Sequence, residues 1–384
     1  MLRLYNSLSK RVEPFEAAGS PIRIYVCGVT PYDTTHVGHA FLYVVFDVLS
    51  RYLRFAGHNV RYVSNITDVD DSILERARQR GVDYRDLGDE QTRQFLRDMQ
   101  ALNMSPPDVR PRASEEIPKM IEIVSHLLSA DVAYAVDGWV YFHAGAYSAY
   151  GQLGGYSRQE MIALSAERGG DPSDPRKHDA LDFVLWQPSQ PDEPRWHAPW
   201  GTGRPGWHLE CSAMALRYLG ETIDIHGGGA DLVFPHHESE IAQSELHTGA
   251  HPFARLWMHV GMVRLHGEKM SKSLGNLVLA RELLERHSAA AVRLHLLSFP
   301  YREGWDFVEA DMAPYDELAA QVAELRRPAE HQLAAGDAFA AALDDNMDTP
   351  RAITLLRQCV DSARRGNAEA ANRLSAYADI FGLS

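Results

Sequence analysis

The chain has 384 residues, 45% of them hydrophobic, and a formal net charge of −14, enough apolar content to bury a full core and to suggest two or three domains. The acidic total argues against a chain built chiefly to hold a phosphate backbone, and no run approaches the roughly 20 apolar residues of a membrane span. The N-terminus "MLRLYNSLSKRVEP" lacks the apolar core of a secretory signal, so a cytoplasmic protein with no membrane partner is expected, and Cys27, Cys211 and Cys359 are too few for a disulfide framework.

Along the chain, "PIRIYVCG" reads as a short β-branched strand running into a glycine turn, and "AFLYVVFDVLSRYLRFAG" as the amphipathic helix after it. "HNVRYVSNITDVDDSILERARQRG" repeats the pattern, strand then helix. Strand, helix, strand opens a doubly wound parallel sheet, so the expected fold class is α/β, with ligands at the carboxyl ends of the strands. Residues 105–200 carry turn-rich text such as "RGGDPSDPRKHD" and read as an insertion between two halves of the sheet, 1–104 and 201–310. In the second half, "ETIDIHGGGADLVF" reads as strand, glycine turn and apolar run, "RLWMHVGMVRL" as one further strand, and "GEKMSKSLGN" as the loop behind it. From 311 to 384 a helical bundle is expected. Its clearest helix lies in "DTPRAITLLRQCVDSARRG", with Thr349 as N-cap, Pro350 at the first helical position and Gly366 as the stop.

In "CGVTPYDTTHVGHA", His36 and His39 stand three apart across Gly38 at the entry to a helix, where free backbone N–H groups and the helix dipole favour phosphate. Gly38 leaves room there for a flat base. "KMSKS" sets Lys269 and Lys272 in a loop after a late strand, where they can reach the same triphosphate from the opposite side and neutralise charge as pyrophosphate leaves. Either motif alone also arises by chance. Together, about 230 residues apart on two halves of one sheet, they resemble the HIGH and KMSKS motifs of class I aminoacyl-tRNA synthetases.

That resemblance implies a Rossmann-like catalytic fold with an inserted connective segment and a C-terminal helical bundle, adenylation of an amino acid by ATP with Mg²⁺, and His36, His39, Lys269 and Lys272 as the catalytic groups. It also implies an adenylate pocket at Cys27, Gly28, Val29, Thr30, Gly38, Asn65, Ile66, Thr67, Trp207, Gly229, Ala230, Asp231 and Val263. The glycines suit this independently, because "GGG" lets backbone approach a ligand closely.

Pro235 is expected to open a helix on which His236 and Glu240 project from one face. With Cys27 and Cys211 they would make a zinc site, although a free cysteine taken alone is more often a small buried hydrophobe. The set resembles the zinc site of the cysteinyl-tRNA synthetase branch, which implies one Zn²⁺ per chain at Cys27, Cys211, His236 and Glu240, and L-cysteine as the amino acid. Zinc would bind that substrate as a thiolate, and a serine hydroxyl could not compete.

Within the branch the chain is read as resembling the cysteine ligases of mycothiol biosynthesis, which pass activated cysteine to the amine of glucosaminyl-inositol. The alternative is a cysteine–tRNA ligase lacking the anticodon-binding domain. "TPYDTTHVGHA" and "ERGGDP", Glu167 to Pro172, resemble motifs of the sugar ligases, and the chain stops at Ser384, where a synthetase usually continues. Residues 301–384 hold eight Arg, no Lys and fifteen Asp plus Glu, the wrong sign for gripping RNA. On the other side, "DIHGGGADLVFPHHESEIAQSE" looks more like the tRNA synthetase, Glu240 is a ligand position that the sugar ligases tend not to retain, and Leu42 stands where they place a Thr. The partners expected are thus ATP, cysteine and the amino sugar rather than tRNA, acting on a monomer.

Overall fold

Four parallel strands form the frame of the molecule, and the computed structural model describes every residue other than 33–34, 271–274, 328–332, 335 and 384. The chain opens with a hairpin, β1 (Arg3–Asn6) and β2 (Arg11–Pro14), and enters the frame as β3 (Ile22–Val29). α1 (Val37–Phe55) crosses to β4 (Val60–Ile66), followed by α2 (Asp71–Arg80) and α3 (Tyr84–Ala101). Next come α4 (Ile117–Ser129), β5 (Ala133–Val136), β6 (Trp139–Phe142), α5 (Arg158–Glu167), β7 (Phe183–Pro188), β8 (Trp196–Ala198) and β9 (Gly201–Pro205). The frame resumes with α6 (Trp207–Leu219), β10 (Ile223–Gly229), α7 (Glu238–Thr248) and β11 (Ala254–Val260). A small sheet of β12 (Val263–Leu265), β13 (Glu268–Lys269) and β14 (Trp305–Asp306) surrounds α8 (Ala280–Leu284) and α9 (Ala289–Leu297) in sequence. The chain closes with α10 (Ala313–Leu325), α11 (Ala338–Asp344), α12 (Thr349–Arg364) and α13 (Ala368–Phe381).

The frame runs β11-β10-β3-β4, so the winding reverses between β3 and β10, and a crevice opens outside their carboxyl ends. Alternation along β3 splits its side chains between two cores. Ile24 and Val26 join the core that holds α1, α9 and α13, whereas Tyr25 and Cys27 join the one that holds α4 and α6. Both faces are covered, so past Arg23 the strand reads as an apolar run, Ile24 to Cys27. Among the described residues no helix is long and apolar enough to cross a membrane.

Several local expectations change. The turn-rich text after 105 folds into an antiparallel sheet of order β5-β6-β7-β9-β8, carried by aromatic strands such as "WVYF" and "FVLWQP" and closed only at Pro205. The glycines 227–229 end β10 as strand rather than forming a turn. "RLWMHVGMVRL" is two strands, broken where Gly261 N bonds to Tyr301 O at 2.7 Å. Helices begin before 311, with α8 and α9. The N-cap of α12 is Asp348, whose carboxylate accepts from Arg351 N at 3.0 Å, so Thr349 is its first helical residue.

Candidate active site and metal centre

A cavity of about 900 Å³ opens in the crevice. Cys27, Gly28, Val29 and Thr30 line it from the end of β3, and His36, Gly38, His39 and Leu42 from the entry to α1. Trp207, Gly229, Asp231, Val263 and Lys269 close the far side, and Ser72, Glu75, Arg76 and Gln79 of α2 line it as well. His36 caps α1, its Nδ1 accepting from Gly38 N at 3.1 Å, and its ring lies 4.0 Å from that of His39. A Cβ on Gly38 would fall 2.9 Å from the His36 ring, so the glycine makes room for that imidazole while it lines the cavity. Lys269 Nζ lies 3.4 Å from Asp231 Oδ2. Lys272 lies outside the described residues.

Asn65, Ile66, Thr67 and Ala230 do not line the cavity. Asn65 supports it from behind: its Oδ1 accepts from Gly28 N at 2.8 Å and Tyr25 OH at 3.0 Å, and its Nδ2 donates to Thr67 Oγ1 at 3.0 Å. A Cβ on Gly28 would lie 1.6 Å from Asn65 O, so β3 and β4 can meet there only at glycine. In the 227–229 run, Gly227 is held open for the Phe46 ring and Gly228 for the His237 ring, which leaves Gly229 as the residue that borders the cavity.

Where Cys27 reaches the crevice, Cys27, Cys211, His236 and Glu240 come together, all buried, with ligand atoms within 4.8 Å of one another. A second set, Cys27, His226, His237 and Glu240, shares two of these residues and meets the same limit. Pro235 opens the helix as expected: Phe234 is extended, and residues 235–237 run with helical backbone into α7 at Glu238. The four-residue spacing brings His236 Nε2 to 3.2 Å from Glu240 Oε1. Cys27 Sγ lies 3.5 Å from that same oxygen and 3.3 Å from His237 Nε2.

Burial pushes the Cys27 thiol and the Glu240 carboxyl well above their ordinary pKa ranges and holds His236 and His237 well below theirs. Two thiols, a carboxyl and neutral imidazoles facing each other out of water are costly to ionise alone and well matched to a dication. His236 Nε2, aimed into the cluster beside Glu240 Oε1, makes no aligned hydrogen bond among the described residues, and the donor set therefore fits zinc.

Outer contacts orient these donors, and sequence reasoning missed them. His226 Nε2 lies 2.9 Å from Glu240 Oε2, His208 Nδ1 lies 2.9 Å from His236 Nδ1, and His237 Nδ1 lies 2.8 Å from His259 Nε2, whose ring pairs through Nδ1 with Ser7 Oγ at 2.8 Å. The doublet "HH" was the one visible signal for His237. Trp207 stacks on His236, with centroids 4.2 Å apart. Cys359 sits between α12 and α13, its Sγ 3.1 Å from Ala370 O, and takes no part in the cluster.

Residues 15–316 match the family described as tRNA synthetases class I (C) catalytic domain. The chain belongs to this class I cysteine-ligase family. A cysteine–tRNA ligase of Dehalococcoides mccartyi is 41% identical over 399 residues, covering 100% of this chain and 86% of that protein. An L-cysteine:1D-myo-inositol 2-amino-2-deoxy-alpha-D-glucopyranoside ligase of Kribbella flavida is 45% identical over 365 residues, covering 94% of this chain and 90% of its own. The solved Mycobacterium tuberculosis methionyl-tRNA synthetase with methionyl-adenylate superposes with a TM-score of 0.64 at 18% identity, over 95% of this chain and 88% of that one, a likeness of fold. Both relatives are ligases that act with cysteine, and this chain is an enzyme of the ligase class.

Proposed function

We propose that this ligase condenses L-cysteine with ATP to cysteinyl adenylate, releasing pyrophosphate, and that a hydroxyl at the 3′ end of tRNA then takes the cysteinyl group as an ester, releasing AMP. The observation that carries the reading is the buried Cys27, Cys211, His236 and Glu240 cluster, set against a cavity whose other walls hold His36, His39 and Lys269. Zinc on those four donors would supply a soft ion that holds the substrate sulfur as thiolate and gives a serine hydroxyl no purchase. The cysteine carboxylate attacks the α-phosphorus of ATP, and the bond to pyrophosphate breaks as the mixed anhydride forms. His36, His39 and the N–H groups at the start of α1 face the phosphates, Lys269, with Lys272 from the same motif, balances the charge that builds on pyrophosphate, and Mg²⁺ accompanies the nucleotide.

For the acceptor, Glu240 weighs toward tRNA. It contacts Cys27, His226 and His236 at the centre of the cluster, in a position that the sugar ligases tend not to retain. "ERGGDP" lies away from the cavity: Arg168 donates to the backbone carbonyls of Asp231 and Phe234, and Gly170 N closes the end of α5 on Ser165 O at 2.8 Å. That motif braces the wall rather than meeting an acceptor. The acidic, lysine-free segment 301–384 favours a second reading, transfer to the amine of glucosaminyl-inositol. Incubation with ATP, cysteine and either total tRNA or glucosaminyl-inositol separates the two. The expected product is cysteinyl-tRNA with the sugar untouched, and cysteinylation of the sugar alone would reverse the assignment.

A further inference from the structure

A second cavity of about 340 Å³ lies behind the first, between β4, α3 and residues 104–110, and Tyr43 lines both. Its volume sits at the lower end of the ~300–1,000 Å³ typical of small-molecule sites. Phe95, Met99 and Tyr62 make its walls apolar, and Arg110 lines it from the loop. Among the described residues the half-buried Arg110 guanidinium makes no hydrogen bond or ion pair, although its neighbours are paired: Arg112 reaches Asp89 at 2.6 Å, and Arg54 reaches Asp108 at 2.9 Å. Asp108, two residues away, holds Arg54 and, at 2.7 Å, Tyr62 N through its Oδ2 and makes no ion pair with Arg110. A guanidinium partly out of water with no counter-charge is costly, and its planar fork matches a carboxylate. One cation against hydrophobic walls selects a monoanion with an apolar body over a strongly hydrated phosphate.

We propose that this cavity binds a small-molecule carboxylate, its charged end on Arg110 and its apolar body against Phe95, Met99 and Tyr62. The site is independent of the acceptor reading. It borders the reaction cavity through Tyr43, whose hydroxyl donates to Cys27 O at 3.4 Å. Calorimetric titration of the full chain with phenylacetate, and with 2-phenylethanol as the uncharged analogue, tests it. Phenylacetate should bind saturably, and Arg110→Gln should weaken it about tenfold or more, the scale of a charge-assisted pair. The alcohol should bind more weakly and ignore that substitution. Leu96→Trp, which fills the cavity and keeps the charge, should remove binding while the chain still melts cooperatively. Absence of saturable binding, equal affinity for the alcohol, or phenylacetate affinity unchanged in either variant would overturn the proposal.

Discussion

Cys27 serves two structures at once, because its Sγ faces the donor cluster while its carbonyl takes the Tyr43 hydroxyl. The neighbouring thiol is the cleaner test. On the proposed zinc site the wild type should carry about one zinc per chain, and Cys211→Ser should lose it together with cysteine affinity, since a hydroxyl replaces thiolate poorly. Elemental analysis and cysteine titration read both, and Cys359→Ser should keep its full metal content. At the phosphate end, His36→Ala, His39→Ala and Lys269→Ala should each slow cysteine-dependent exchange of pyrophosphate into ATP by roughly a hundredfold, the scale of one lost transition-state donor. Gly28→Ala fails for a different reason: its Cβ would sit 1.6 Å from Asn65 O, so a stability loss of about 3 kcal/mol or more is expected in urea unfolding.

Elements buried all round announce themselves in the sequence: residues 24–27 of β3 are apolar because a core covers each side, and residues 40–46 of α1 because they lie within one of those cores. The end of β10 gives no such signal. Glycine is depleted in strands, and only the Phe46 ring over Gly227, the His237 ring over Gly228 and the cavity beside Gly229 explain the run there. For the same reason the paired histidines 208, 226 and 259 were invisible, whereas His36 and His39 share one helix entry and could be read from spacing. α9 shows a further cost hidden from sequence. His295 is buried among Phe299, Trp305, Phe307 and Tyr315, both ring nitrogens lack hydrogen-bond partners among the described residues, and burial lowers its pKa to about 4. Asp311 and His287 face it and act in opposite directions. An unfolded histidine titrates near ~6.5, so this group's contribution is complete above that pH and is lost as pH falls toward about 4. His295→Phe should therefore flatten the acid arm of the melting-temperature profile between those values. His247, also lowered to about 4, leaves part of that arm in place.

The acidic tail shares one core with α1 and α9, and a buried charge pair ties its last helix to them, so the molecule should unfold as one. Arg293 of α9 is 0% exposed, and its Nη2 meets Asp47 Oδ2 of α1 at 2.6 Å. Its Nε donates to Phe381 O at the end of α13 at 2.6 Å, and its Nη1 to Leu102 O just past α3 at 3.1 Å. Asp47 also takes Arg51 Nε at 2.9 Å and Ser105 N at 3.0 Å. Four parts of the chain thus meet on two side chains that water does not reach. Removing one partner strands the other, which costs about 3–5 kcal/mol for a buried pair, far above the value of a surface bridge. Asp47→Ala should lower the unfolding free energy measured in urea by that amount and still give a single transition, with far-ultraviolet ellipticity and tryptophan fluorescence changing together. If the helices after 311 formed an autonomous bundle, the same substitution would instead release them first, ellipticity falling ahead of fluorescence, because among the described residues every tryptophan lies at or before Trp305.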